Sequence, residues 1–218
     1  MKTALVFGAT GQTGELLTDL LLLDDRYNKV KLFVRKSTNR KHSKLVEIVN
    51  DLNDINLIKD EIIGDEVFCC LGTTIKKAGS QEAFKKVDYY LPLSIAKAAK
   101  ENSVGTMVTI SAVGANAKSN NFYTKTKGEV EQDIAAVGIP NTVFVRPSLL
   151  LGSRKEFRLG ERIGKAVFSL INPLFVGKLK RYKAIHSETV AKAMIYLANN
   201  DEKGTRFIEN EKLLEIGK

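Results

Sequence analysis

The apolar positions of this chain fall into short runs and helical stripes that alternate from the first residues onward. Residues 3–7 set Thr3, Leu5, Val6 and Phe7 beside Ala4 and read as a buried strand. Residues 13–23 read as a helix, because Leu16, Leu17, Leu20 and Leu21 make one apolar stripe at helical spacing. Strands follow at 30–34, more weakly at 44–49, and at 66–71, where Gly72 closes the run. Residues 82–100 place Ala83, Val87, Leu91, Ile95 and Ala98 along one side of a long helix. A strand at 105–110, a helix at 125–137, a turn at Gly138-Ile139-Pro140 and a strand at 141–145 come next. A helix at 187–199, with Ser187 as its N-cap, and an edge strand at 205–208 complete the pattern.

Strand and helix in alternation predict an α/β fold: a doubly wound parallel sheet covered on both faces. Nearly continuous apolar strands suit that double burial. The pattern weakens only over residues 151–183, which are expected to pack beside the sheet as a substrate-side segment of a single domain spanning 1–218. A chain of 218 residues can bury a sizeable core. Its 44 % hydrophobic and 27 % charged content excludes disorder as the main state.

The formal charge of +9 is uneven. Arg35, Lys36, Arg40, Lys41 and Lys44 form one basic cluster. Residues 151–183 hold nine basic residues against Glu156 and Glu161, a surplus of +7. That segment reads as a lid for an anionic substrate, as a docking face for an acidic protein or membrane surface, or as a solvated amphipathic helix. A nucleic-acid role is not expected, with no Trp and 7 % aromatics. Cys69 and Cys70 are adjacent, so on a strand they point to opposite faces and make poor disulfide partners. Only His42 and His186 could join them around a metal, and both are distant in sequence, so no metal is expected. No signal-peptide layout or membrane-spanning run stands out, and the expectation is a reduced, cytoplasmic protein.

The first strand runs into Gly8-Ala9-Thr10-Gly11-Gln12-Thr13-Gly14 and then into a helix. Gly-x-x-Gly-x-x-Gly in that context suits a dinucleotide pyrophosphate. Gly8 allows the tight turn, Gly11 the close approach of backbone to phosphate, and Gly14 the packing of helix on strand. Thr10, Gln12 and Thr13 lie in the same cradle, and the helix N-terminus favours the phosphate charge. The ribose reader belongs at the end of the second strand, where Arg35 and Lys36 stand instead of an acidic residue. They suit a 2′-phosphate, so NADP(H) is favoured over NAD(H). A solvated basic loop is the alternative.

Tyr123 and Lys127 form Tyr-x-x-x-Lys, one turn apart if helical. A nearby ammonium is expected to lower the phenol pKa and make Tyr123 a general acid/base. Ser111 closes the fifth strand, where its hydroxyl could hold a substrate carbonyl.

The glycine loop, Ser111, Tyr123 and Lys127 together resemble the short-chain dehydrogenase/reductase superfamily, over nearly the whole chain. Gly-Ala-Thr-Gly-x-Thr-Gly resembles its atypical branch. Cys69-Cys70-Leu71-Gly72-Thr73-Thr74, Lys77-Ala78-Gly79, Lys127-Gly128-Glu129-Val130-Glu131 and Arg146-Pro147-Ser148-Leu149-Leu150 resemble the Tat-interacting tumour-suppressor-like group and its bacterial relatives. The resemblance implies a Rossmann-type fold holding NADP(H). It implies Leu71, Gly72 and Thr73 along the cofactor, Asp51 and Leu52 near the adenine, and Pro147, Ser148 and Leu149 near the nicotinamide. Ser111, Tyr123 and Lys127 would be the catalytic set. Many members carry an asparagine after the fourth strand that supports a proton relay; this chain offers Asp88 there. His186 reads as structural.

Two functions follow as expectations. One is an NADP(H)-dependent oxidoreductase exchanging a hydride with a small carbonyl or alcohol, with epimerase or dehydratase chemistry open. The other is an NADPH-binding regulatory or interaction module with little or no turnover.

Overall fold

A computed structural model describes residues 1–152, 181–200 and 202–218. In chain order the elements begin with β1 (Lys2–Phe7), α1 (Gln12–Leu23), β2 (Tyr27–Val34), β3 (Leu45–Val49), a 3₁₀ turn (Ile55–Glu61) and β4 (Glu66–Cys69). There follow α2 (Ile75–Ala78), α3 (Gln81–Lys85), a π-helical turn (Lys86–Tyr90), α4 (Leu91–Glu101), β5 (Thr106–Ile110), α5 (Phe122–Val137) and β6 (Asn141–Arg146). The last are β7 (Leu150–Leu151), β8 (Ile185–His186), α6 (Ser187–Ala198), β9 (Gly204–Glu209) and α7 (Asn210–Ile216).

Seven strands form one sheet in the order β3-β2-β1-β4-β5-β6-β9, and every neighbouring pair is parallel. The alternation inside β1 shows why both faces are covered. Ala4 and Val6 join Leu17 and Leu21 of α1 and Met194 of α6 in one core. Leu5 and Phe7 join Ile95 of α4 and Ile134 of α5 in the other. Phe7 stacks on Phe33 of β2 with ring centroids 4.3 Å apart. The strand order reverses between β1 and β4, and ligands of open α/β sheets bind at the carboxyl ends beside such a switch point.

At the opposite end, Glu66 is buried and accepts hydrogen bonds from Lys2 Nζ at 2.5 Å and the Tyr27 hydroxyl at 2.5 Å. Asn199, after α6, donates to the Tyr27 oxygen at 2.6 Å and accepts from Lys2 at 2.9 Å. This clasp ties β1, β2, β4 and α6 together.

The expected long helix over 82–100 is a continuous helical run with one widened turn. The Leu91 N–H donates to the Lys86 carbonyl, five residues back. Pro92 has no N–H to offer the Asp88 carbonyl, which favours the wide turn just before it. The helix expected at 125–137 begins earlier, at Phe122, because the Asn121 side chain accepts from the N–H groups of Tyr123 and Thr124. Ser187 is inside α6 and is not its N-cap; its hydroxyl is engaged with Gln12 and Leu151. The pairing of β7 with β8 and helix α7 were not anticipated. Of the expected substrate-side segment, residues 153–180 lie outside the described residues.

Candidate active site

The glycine loop is built by exclusion of side chains. Gly8 has φ +84, and a Cβ there would stand 2.7 Å from the Cys70 carbonyl carbon, at the end of β4. A Cβ on Gly14 would stand 2.2 Å from the Gly8 oxygen, so only glycine lets α1 sit this close to the turn. The Gly11 N–H closes the turn on the Gly8 carbonyl at 3.0 Å. Gly11 caps α1 without a side-chain bond, leaving first-turn N–H groups for an anion. Thr10 is exposed. Thr13 is buried, and its hydroxyl has no hydrogen-bond partner. Gln12, at the head of α1, donates to Ser187 Oγ at 2.6 Å, linking the loop to the start of α6.

Arg35 and Lys36 are exposed just beyond β2, with no ion pair among the described residues. Arg40 and Lys44, expected to strengthen the same positive field, are drawn to α1. Arg40 pairs with Asp19 at 2.8 Å and Glu15 at 3.6 Å, and Lys44 donates to the Asp24 carbonyl. Asp51 turns its carboxylate onto Asn53, accepting from backbone and side chain at 2.9 Å each. Leu52 is buried with φ +63, a strained backbone for a branched residue, in the core of Phe7 and Phe33.

At the sheet centre, Ser111 follows β5 directly. Its backbone N–H donates to the Val145 carbonyl, while its buried hydroxyl has no hydrogen-bond partner. The loop after it is pressed onto α5: Asn116 N–H donates to the Thr124 carbonyl at 3.0 Å, and a Cβ on Gly128 would stand 2.1 Å from Ala117 N. Tyr123 and Lys127 both lie in α5, one turn apart, and Phe84 of α3 packs on the Tyr123 ring at 5.7 Å. The Lys127 ammonium is buried, 2.7 Å from Asp88 Oδ1. Asp88 Oδ2 accepts the Thr73 N–H at 2.8 Å, so Asp88 joins the loop after β4 to α5. The expected fall in the Tyr123 pKa is corrected: burial, helped by the Asp88 charge, outweighs Lys127 and pushes the phenol above its usual 10. Desolvation works against the buried Lys127 ammonium, but the Asp88 carboxylate beside it more than offsets this and raises the lysine pKa.

Leu71 and Thr73 are half-buried and Gly72 is exposed in the loop after β4. Pro147 is buried and Leu149 exposed. Ser148 spends its hydroxyl on the Lys183 carbonyl and its N–H on Asn210, so its side chain anchors the chain returning at Lys183. Sequence reasoning gave no role to Arg146, which ends β6 and makes a bidentate contact to buried Glu131 of α5 at 2.9 and 2.6 Å. It also reaches Glu209 of β9 at 2.8 Å. Glu131 lies one turn beyond Lys127, so this clamp sets where the Tyr-Lys face of α5 stands over the sheet. No local spacing signals it, because Arg146 and Glu131 lie on different elements. A cleft of about 430 Å³ between α4 and α5, lined by Leu93, Lys97 and Asp133 among others, lies away from the glycine loop.

A glycine cradle at the switch point of a parallel sheet, with a buried unpartnered Ser and Thr beside it, defines an NAD(P)-binding Rossmann-type domain. The chain belongs to the NAD(P)H-binding family, whose model matches residues 8–201. A relative from Candida albicans, named protein FMP52, mitochondrial, is 34 % identical over 97 % of this chain and 93 % of its own length. A short-chain dehydrogenase/reductase family oxidoreductase from Burkholderia thailandensis shares the fold at TM-score 0.72 and 17 % identity, covering 98 % of this chain and 93 % of that one. MoeE5, solved with UDP-glucose and NAD, superposes at TM-score 0.71 and 16 % identity, over 99 % of this chain and 80 % of that one. The expectation of a cytoplasmic protein is corrected by the relatives, which cover nearly the whole chain and are named mitochondrial. Among the described residues no helix is long and apolar enough to cross a membrane, and none of the His, Cys, Asp and Glu clusters could hold a metal.

Proposed function

We propose that this protein is an NADP(H)-dependent oxidoreductase acting on a small carbonyl or alcohol, with Ser111, Tyr123 and Lys127 as its catalytic set. The observation that carries the reading is the buried Ser111 hydroxyl. It has no partner at the carboxyl end of a central strand, and the loop that follows it is packed against the helix bearing Tyr123 and Lys127. A buried hydroxyl without a partner is costly, which fits a group reserved for a ligand oxygen. The glycine cradle and Thr13 fit the pyrophosphate, Leu71 to Thr73 and Pro147 to Leu149 the nicotinamide half, and Leu52 with Asp51 the adenine end. Arg35 and Lys36 fit the 2′-phosphate.

When bound, the nicotinamide supplies or takes up the hydride. Ser111 donates a hydrogen bond to the substrate oxygen. Tyr123, a phenol at neutral pH, gives that oxygen its proton in reduction and takes it back in oxidation. Lys127 holds the ribose hydroxyls, and its charge favours the transient phenolate. The surplus of +7 over residues 151–183 favours an anionic substrate or an acidic protein partner.

Fluorescence titration with NADPH and NADH tests the cofactor: tighter NADPH binding, lost in Arg35→Ala, is expected, and equal affinities in the wild type sink the 2′-phosphate role. Oxidation of NADPH by a carbonyl panel tests the chemistry. Full turnover in Tyr123→Phe removes Tyr123 from its role. A second reading, an NADPH-binding module without turnover, is favoured by one observation: the Lys127 charge is shared with Asp88 while burial keeps Tyr123 a phenol.

A further inference from the structure

Glu47 is the middle residue of β3, the strand at one edge of the sheet, in register with Leu32 of β2. Its carboxylate holds the loop that leaves β2. Oε2 accepts the Ser37 hydroxyl at 2.6 Å, and Oε1 accepts the Thr38 N–H at 3.0 Å together with the Thr38 hydroxyl. Partial burial works against the charge, but the Ser37 and Thr38 donors outweigh it and hold the carboxyl below its usual range. Further along the same loop, Arg40 is held by Asp19 and Glu15 of α1. The loop is therefore pinned to β3 and to α1, directly after the bend at Arg35 and Lys36. Those two cations stand exposed, with Ser37 and Thr38 fixed behind them.

We propose that Glu47 is a specificity-determining positioning residue. It fixes the loop after β2 so that Arg35 and Lys36 are presented to a cofactor 2′-phosphate, and so favours NADP(H) over NAD(H). The proposal rests on the NADP(H) reading of the cleft. Long cationic side chains carried on a fixed backbone cost less to order around a phosphate, and an Arg grips it with two parallel N–H bonds. A carboxylate beside a phosphate site is by charge alone unfavourable. Three donors already occupy this one, which makes it a brace for the loop. Glutamine can keep the brace: its oxygen accepts from Thr38, and its NH₂ donates to the Ser37 hydroxyl, which turns to accept. Alanine cannot.

The test is fluorescence titration of the full chain with NADPH and NADH in the wild type, Arg35→Ala, Glu47→Ala and Glu47→Gln. Glu47→Ala is expected to bind NADPH about tenfold more weakly, with NADH affinity within about twofold of the wild type. Glu47→Gln should keep NADPH affinity within about threefold. Tighter NADPH binding in both variants would mean that Glu47 acts only as a nearby negative charge, and it overturns the proposal. An unchanged ratio of NADPH to NADH affinity in Glu47→Ala overturns it too, as do equal losses for both cofactors, which mark a merely structural role. Should Glu47→Ala not fold, Thr38→Ala takes its place, because it removes one contact and leaves the charge. Its ratio is expected to fall about threefold, and an unchanged ratio overturns the proposal. Equal affinities in the wild type overturn this proposal and the 2′-phosphate reading together. A preference lost in Arg35→Ala and kept in Glu47→Ala overturns this proposal alone.

Discussion

Gly14 carries the tightest contact of the phosphate loop, and an added methyl there meets the Gly8 carbonyl at 2.2 Å. Backbone, unlike a flexible side chain, cannot step aside cheaply. Gly14→Ala is expected to cost about 1–3 kcal/mol in chemical denaturation and to weaken NADPH binding more than tenfold. Tyr123 makes a second prediction at this scale. Its folded pKa lies above the usual phenol value, so the proton is held more tightly in the native chain than in the unfolded one. The stabilisation is complete below about pH 10 and is lost as pH rises through the native value. The ultraviolet tyrosinate difference between wild type and Tyr123→Phe should therefore develop only above about pH 10. A signal near neutrality would show that Lys127 outweighs burial. The residues of both sites were legible as a motif, because Gly-x-x-Gly-x-x-Gly and Tyr-x-x-x-Lys are local. The sign of the Tyr123 shift was not, because burial and the Asp88 charge come from segments distant in sequence.

Elements position this site through their joints. Arg146 binds α5, β6 and β9 at once, with Glu131 almost fully buried and the guanidinium over the Phe207 ring at 4.7 Å. Arg146→Met would leave Glu131 as an unpaired buried charge. The expected loss is about 3–5 kcal/mol by chemical denaturation, with a matching drop in any turnover that depends on α5. Arg146→Lys should recover little, since an ammonium cannot make the bidentate contact. Element order and type were readable from periodicity: β1, α1, β2, β4, β5, α5, β6, α6 and β9 all stand where the apolar runs place them. The joints were not. The π turn before Pro92, the short β7–β8 pair and the role of Ser187 beside Gln12 depend on contacts between segments, to which a hydrophobic pattern is blind.

For the whole molecule, the cofactor cleft opens at the switch point between β1 and β4, where halves of the sheet meet. A ligand that needs this assembled sheet binds only the folded state. Saturating NADPH should raise the melting temperature, with about 2.7 kcal/mol of added stability at a hundredfold excess over Kd. NADH at the same concentration should add less, and equal shifts in a thermal melt would contradict the 2′-phosphate role of Arg35 and Lys36. The clasp of Lys2, Tyr27, Glu66 and Asn199 at the other end joins β1, β2, β4 and the chain after α6, although burial pushes the Glu66 carboxyl upward despite Lys2.

Sequence by itself determined the α/β architecture, the glycine cradle, the order Ser111, Tyr123, Lys127 and the exclusion of disorder. Each rests on short-range periodicity or on residue types whose chemistry is local. Tertiary structure decided which charges are spent and which are left. It drew Arg40 and Lys44 to α1, turned Ser148 to Lys183, and closed Asp88 onto Thr73 and Lys127. A charge acts through the few ångströms around it, and those neighbours come from every part of the chain only once the sheet has formed.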